Sequence, residues 1–313
     1  MSTPLSMVIS THPMLPSSLS MRARQNLQLT KVLDGWLSVV PAKALSREWL
    51  LLIEDKGRDE IEHKQYKPEQ AFTITKGRTI ISNSKNDIFA IVEYRAFADM
   101  TLEERKDWNE INSKIKRGSM WPIGWRKEMT KGPLLEKMNM VLAVSLKHVV
   151  DVWFHKSMEE FNEKGLPAFS ATLMNNNPPE AFSSALTFTT SKFENTPHID
   201  NDSSYIAAGW WMQVNKKTGE VNMGEYKKVV SGGEFYFPQE NVKIDFSKSN
   251  GICQIIWMAN KVYHSKLSSK DTKNDTQLGM SCQVAKKLST AFEKFRCVLQ
   301  PSHFKVRDIK IFS

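Results

Sequence analysis

Cysteine is scarce in this chain. Cys253, Cys282 and Cys297 are the three present, and none forms a C-x-x-C pair. The spacing argues against a structural zinc ribbon or a disulfide frame. An odd count without a secretory leader predicts a reducing, intracellular setting. Long apolar runs are also missing. Nothing approaches the roughly 18 apolar residues of a membrane-spanning helix, so no membrane partner is expected. Acids are absent from residues 1–33, which hold Arg22, Arg24 and Lys31 as their only charges. Residues 1–31 are rich in Ser, Pro, Thr and Met without a hydrophobic period. The pattern predicts a disordered basic tail over residues 1–33.

What is present is enough for a sizeable core. The chain has 313 residues, 41% of them hydrophobic, with a mean hydropathy of −0.41. The net charge of +9 is concentrated at the ends, since residues 286–313 carry seven bases against two acids. Such ends suit a polyanionic partner. They also suit plain solvated tails.

Residues 34–71 read as a lead-in with one short helix over 43–55. Strands are predicted at 72–75, 79–81 and 87–94. Thr101 and Glu104 form a capping box that opens a helix running toward Gly118, with Leu102, Trp108, Ile111 and Ile115 on one face. Residues 120–126, Met-Trp-Pro-Ile-Gly-Trp-Arg, read as a loop whose Trp121 and Trp125 line a pocket or pack in the core. Pro133 then opens a helix predicted to reach Gly165, with a broad apolar stripe through Leu135, Leu142, Val149 and Trp153. His148 and His155 on it read as structural.

From Phe182 the period switches to two. Strands are predicted at 184–190, 205–214, 233–238, 241–246, 252–258, 262–266 and 278–284, with a last helix over 287–296 and an extended segment over 303–312. The fold class is therefore α+β. A double-sheet roll occupies 72–296, helices brace one face, and 297–313 form a basic tail.

His198-x-Asp200 is the chemical feature of this half. On extended backbone, residues two apart point the same way, so an imidazole and a carboxylate converge there. His264 is the candidate third ligand. Two histidines and one carboxylate with open positions is the donor set of non-haem Fe(II) oxygenases. Asn201 and Asp202 can orient the ligands or simply make a turn. Gly232-Gly233 marks backbone that must pass close to something. Of Trp210 and Trp211, which point to opposite faces, one belongs to the core. The other can stack on a substrate ring.

Four motifs carry a resemblance. They are Ile88-Phe-Ala-Ile-Val-Glu-Tyr-Arg-Ala-Phe-Ala-Asp-Met-Thr with the Trp108 helix, Met120-Trp-Pro-Ile-Gly-Trp-Arg-Lys, Leu186-Thr-Phe-Thr through Thr196-Pro-His-Ile-Asp-Asn-Asp, and Gly232-Gly-Glu-Phe-Tyr-Phe-Pro. Residues 72–292 resemble the fungal Tet-like, Tet/JBP-related 2-oxoglutarate/Fe(II) dioxygenases. The resemblance implies a double-stranded β-helix (jelly-roll) core and Fe(II) on His198, Asp200 and His264. It implies 2-oxoglutarate and O2 as co-substrates, and a methylated base in DNA, chiefly 5-methylcytosine, as the partner. It also implies hydroxylation of that methyl group and a nuclear location. Asn201, Trp210, Trp121 and Trp125 are the substrate-binding candidates. In the family, the segment after the distal His reads Thr-Arg-Leu-Gly-Ser-Ser, and its Arg is expected to hold the distal carboxylate of 2-oxoglutarate. This chain reads Thr276-Gln277-Leu278-Gly279-Met280-Ser281. Gln277 and Ser281 are the co-substrate candidates there, with Lys273, or else Lys270 or Lys266, supplying the charge that Gln277 lacks. A catalytically weak roll that serves as a binding module is the alternative, as is an oxygenase on another substrate.

Overall fold

The computed structural model describes residues 8–12, 67–113, 120–124, 133–171, 177–190, 192–221, 230–284 and 286–299. Its strands are β1 (Val8–His12), β2 (Phe72–Ile74), β3 (Arg78–Ser82), β4 (Ile88–Ala96), β5 (Met120–Gly124), β6 (Ala185–Thr189), β7 (Ala207–Asn215) and β8 (Ser231–Gly232). They continue with β9 (Phe235–Phe237), β10 (Val242–Ile244), β11 (Gly251–Trp257), β12 (Ser265–Lys266), β13 (Ser269–Lys270) and β14 (Asp275–Gln283). The helices are α1 (Leu102–Ser113), α2 (Pro133–Val149), α3 (Asp151–Glu163) and α4 (Lys286–Leu299).

Eight strands form one sheet in the order β1-β3-β4-β11-β7-β14-β6-β5, antiparallel throughout. Four more, β12-β9-β10-β2, form a smaller sheet in which the β10–β2 pair is parallel. This is a double-stranded β-helix core. Alternation along the strands decides what each face does. On β7, Trp210 turns outward, where its Nε1 donates to Ser145 Oγ on α2 at 3.0 Å. Trp211 turns inward and stacks flat on Phe246 at 5.1 Å. On β4, Tyr94 also turns inward, and its hydroxyl reaches Ile74 O and Asp245 O beside the smaller sheet at 3.0 and 3.1 Å. The space between the sheets is thus filled with rings from both.

Helices cover the outer face of the large sheet. The capping box at α1 is formed as read: Thr101 N donates to Glu104 Oε2, and Glu104 N to Thr101 Oγ1. Trp108 and Ile111 are buried, but Leu102 is 75% exposed and does not belong to that face. Ile115 lies outside the described residues.

Three expectations are corrected. The helix from Pro133 is two helices, broken at Val150, whose φ of −146° and ψ of 86° are not helical. Arg78 on β3 donates to the carbonyl of Val149, which gives that freed acceptor a partner inside the break. Residues 120–124 are a strand paired with β6 rather than a loop. Val8–His12, inside the stretch read as disordered, pair with β3 at the edge of the large sheet. The helix read at 43–55 and the segment at 303–312 lie outside the described residues.

Candidate metal centre

The segment after β6 runs along the strand that becomes β12. His198 N donates to His264 O and His264 N to His198 O, both at 3.0 Å. Asn195 N donates to Lys266 O at 3.1 Å, and Lys266 N to Asn195 Oδ1 at 2.6 Å. Asp200 N donates to Ala259 O at 2.9 Å. The two stretches, distant in sequence, are therefore neighbours in one ladder.

Their side chains meet. His198, Asp200 and His264 bring one donor atom each to within 4.8 Å of one another. Asp200 Oδ1 lies 3.4 Å from His198 Nε2, and its Oδ2 lies 3.5 Å from His264 Nε2. Each ring is held from behind. His198 Nδ1 lies 2.8 Å from Thr196 O, and His264 Nδ1 lies 3.1 Å from Val262 O. A carbonyl only accepts, so each Nδ1 carries a hydrogen and each Nε2 is free to present a lone pair. Two lone pairs and a carboxylate facing one point leave a place for a cation. The donor set suits Fe(II). Burial works against the charge on Asp200, but when a ring is also protonated at Nε2 it donates to the carboxylate, and such hydrogen bonds from His198 and His264 outweigh burial and hold the acid below the usual range. The hydrogen bond to Asp200 raises the pKa of His198, against its desolvation. Behind them the Asp202 carboxyl is pushed up to about 7 by burial and by the charge on Asp200.

One wall of the centre is aromatic. Phe235 stacks on the His264 ring at 5.6 Å, and Trp257 meets its edge side at 5.5 Å. Trp211 packs on Phe235 at 5.3 Å. Two glycines make room for the Trp211 ring. A Cβ on Gly209 would stand 2.4 Å from its Cη2, and one on Gly279 would stand 2.7 Å from its Nε1.

Gln277 is buried on the inward face of β14, with its Nε2 unpartnered among the described residues. Its neighbour is Lys266, also buried. Burial lowers the Lys266 pKa to about 7, opposed by the charges of Glu234 and Asp271. The close approach signalled by Gly232-Gly233 is here. Gly233 has φ +72°, and a Cβ on it would stand 2.6 Å from Gln277 Oε1 and 2.7 Å from Lys266 Nζ.

Several candidates from the sequence sit elsewhere. Lys273 and Lys270 are exposed, so the buried lysine of this region is Lys266. Trp210 is fully buried against α2 and faces away from the metal centre, so it is a core ring. The inward ring is Trp211, which alternation allowed but did not single out. Asn201 is exposed beside the centre. Ser281 lies on the inward face of β14, opposite Gly209 and Thr187. Trp121 lies on β5 with its backbone paired to Phe188, and Trp125 lies outside the described residues. A cavity of about 250 Å³ opens on the other face of the large sheet, lined by Glu93, Arg95, Met140, Val144 and Gln254 among others. It shares no residue with the metal centre.

Residues 133–269 match the family described as the Tet-like 2OG-Fe(II) oxygenase superfamily, and this span contains all three converging residues. Fe(II), 2-oxoglutarate and O2 are the cofactors of that family. Among solved structures, the chain is similar to NgTET1 in complex with 5mC DNA, at 10% identity over 71% of this chain and 84% of that one, with a TM-score of 0.42. It is similar to a Pseudomonas putida prolyl-4-hydroxylase at 12% identity, over 53% of this chain and 71% of the other, with a TM-score of 0.28. A 2OG-Fe(II) oxygenase family oxidoreductase from Burkholderia pseudomallei matches at 10% identity, over 63% and 87%, with a TM-score of 0.34. No curated protein matches the chain. No helix among the described residues is long and apolar enough to cross a membrane.

Proposed function

We propose that His198, Asp200 and His264 hold Fe(II), and that the domain hydroxylates a methyl group on a modified nucleic-acid base, with 5-methylcytosine in DNA the first substrate to test. The observation that carries the metal assignment is the pair of backbone-anchored rings, whose Nε2 atoms face one carboxylate. When bound, the iron supplies the O2 chemistry that oxidises a C–H bond while 2-oxoglutarate loses CO2. The chain's own residues do the rest. Thr196 O and Val262 O fix the ring orientations. Asp200 stays ionised across the physiological range, because its pKa is held low. Phe235, Trp257 and Trp211 keep water from one side of the centre.

The DNA reading is supported by the Tet-like family and by the net charge of +9. A base oxidised in duplex DNA must leave the stack, and such a substrate goes with a nuclear location. The neutral Gln277 favours a second reading, a roll that binds without turning over.

The two separate cleanly. Purified chain is given Fe(II) and 2-oxoglutarate without oxygen and scanned for a visible metal-to-ligand absorption band. Iron bound without a band favours the silent roll. A band, followed in air by succinate release that methylated DNA stimulates and unmethylated DNA does not, supports the base-oxidising reading. Turnover indifferent to DNA methylation would sink the proposed substrate.

A further inference from the structure

Lys266 is the lysine that the described core buries, at 7% exposure. An ammonium taken out of water costs several kcal/mol unless it is compensated. Compensation here is incomplete. Lys266 Nζ donates to Gly233 O and lies 5.6 Å from the Phe246 ring centroid. Among the described residues no carboxylate pairs with it. Asp271, whose charge reaches it, is paired instead with Lys216 at 3.3 Å. Beside it the Gln277 amide, 5% exposed, has a second donor without an acceptor. Both side chains crowd the space that Gly233 leaves by lacking a Cβ. Glu234 and Asp271 lie close enough for their charges to reach Lys266, but neither forms an ion pair with it, so the donors gathered here lack a directly bound anion.

The position relative to the metal centre completes the argument. Lys266 follows His264 by two residues, and residues two apart on a strand share a face, about 7 Å from one another. Gln277 faces the same interior from β14, opposite Gln213 on β7. A ligand reaching from the metal centre to these two side chains needs two oxygen-rich ends: one to chelate, and one carboxylate to meet an ammonium.

We infer that Lys266, assisted by the Gln277 amide, binds the distal carboxylate of the 2-oxo acid co-substrate. This rests on the metal assignment above. The charge that a guanidinium at position 277 would supply comes from β12, in the smaller sheet. The departure at Gln277 is then a relocation of the cation rather than its loss.

The test uses the full chain loaded with Mn(II), titrated calorimetrically with 2-oxoglutarate and with pyruvate, a 2-oxo acid that lacks the distal carboxylate. The wild type is expected to bind 2-oxoglutarate about 10- to 100-fold more tightly than pyruvate, the value of one charge-assisted contact. Lys266→Met is expected to erase that preference while leaving pyruvate and Mn(II) binding within about twofold. Adding Gln277→Arg to Lys266→Met is expected to restore it. A preference that survives in Lys266→Met overturns the assignment. So does a Gln277→Arg gain that is the same with and without Lys266, because the two cations would then not share a site. If Lys266→Met does not fold, the wild-type ratio decides: equal affinity for the two acids overturns the inference. The wild type failing to bind Mn(II) overturns the metal assignment, and this one with it. Mn(II) bound without preference overturns this one alone.

Discussion

At the scale of single residues, burial sets two testable properties. Glu240 has its Oε2 enclosed without a donor among the described residues. Burial pushes its carboxyl up to about 7, against the hydrogen bond from its own backbone amide. The folded chain therefore keeps a proton that the unfolded chain releases near the ordinary value of 4.5. That contribution to stability is present below this value and is lost as pH rises through about 7. Glu240→Gln is expected to raise stability by about 1–2 kcal/mol near pH 8 and to change little near pH 4. Thermal melts at the two pH values check it, and equal shifts at both would refute the cause given. Trp210 is the second case. Trp210→Phe keeps most of the ring and loses the hydrogen bond to Ser145. It is expected to cost about 1–2 kcal/mol in urea titrations and to leave substrate binding unchanged. A fall in affinity at full stability would return the ring to the substrate site. Residue identity was readable here and direction was not. His198, Asp200 and His264 were marked by type and spacing. The choice between Trp210 and Trp211, or between Lys266 and Lys273, depends on which face of a strand meets the helices.

Among the elements, β7 and β14 carry the floor of the centre. The Trp211 ring lies over Gly209 and Gly279, whose missing Cβ atoms are its clearance. Gly279→Ala is expected to destabilise the chain by about 1–3 kcal/mol through overpacking and to alter tryptophan emission as Trp211 shifts. Unchanged emission with full stability would show that the ring has slack. Seven strands after Phe182 were legible because alternation and turn residues agree there. The break at Val150 was not, because the apolar stripe runs on through Val149 and Val150 without Pro or Gly. Its partner, Arg78, comes from a strand far away in sequence. Strand β5 was hidden by its Pro122 and Gly124, which read as a turn yet sit on an edge strand that tolerates them.

For the molecule as a whole, the centre links metal to stability. A divalent ion bound by the folded chain alone is expected to add about 3 kcal/mol at a hundredfold excess over its dissociation constant. For a domain of this size the melting temperature should rise by roughly 5–10 °C. Chelation should reverse the shift, and Asp200→Asn should abolish it. A metal-induced rise that persists in that variant would place the ion elsewhere.

The backbone bridge between His198 and His264 has a kinetic consequence. It closes a long loop and joins two stretches that are far apart along the chain. Contacts of that kind form late, after local strands and helices have paid their own ordering entropy. An ion held across the bridge acts as a clasp on the finished molecule and is absent from the folding barrier. Metal should therefore slow unfolding in stopped-flow denaturant jumps and leave the refolding rate as it is.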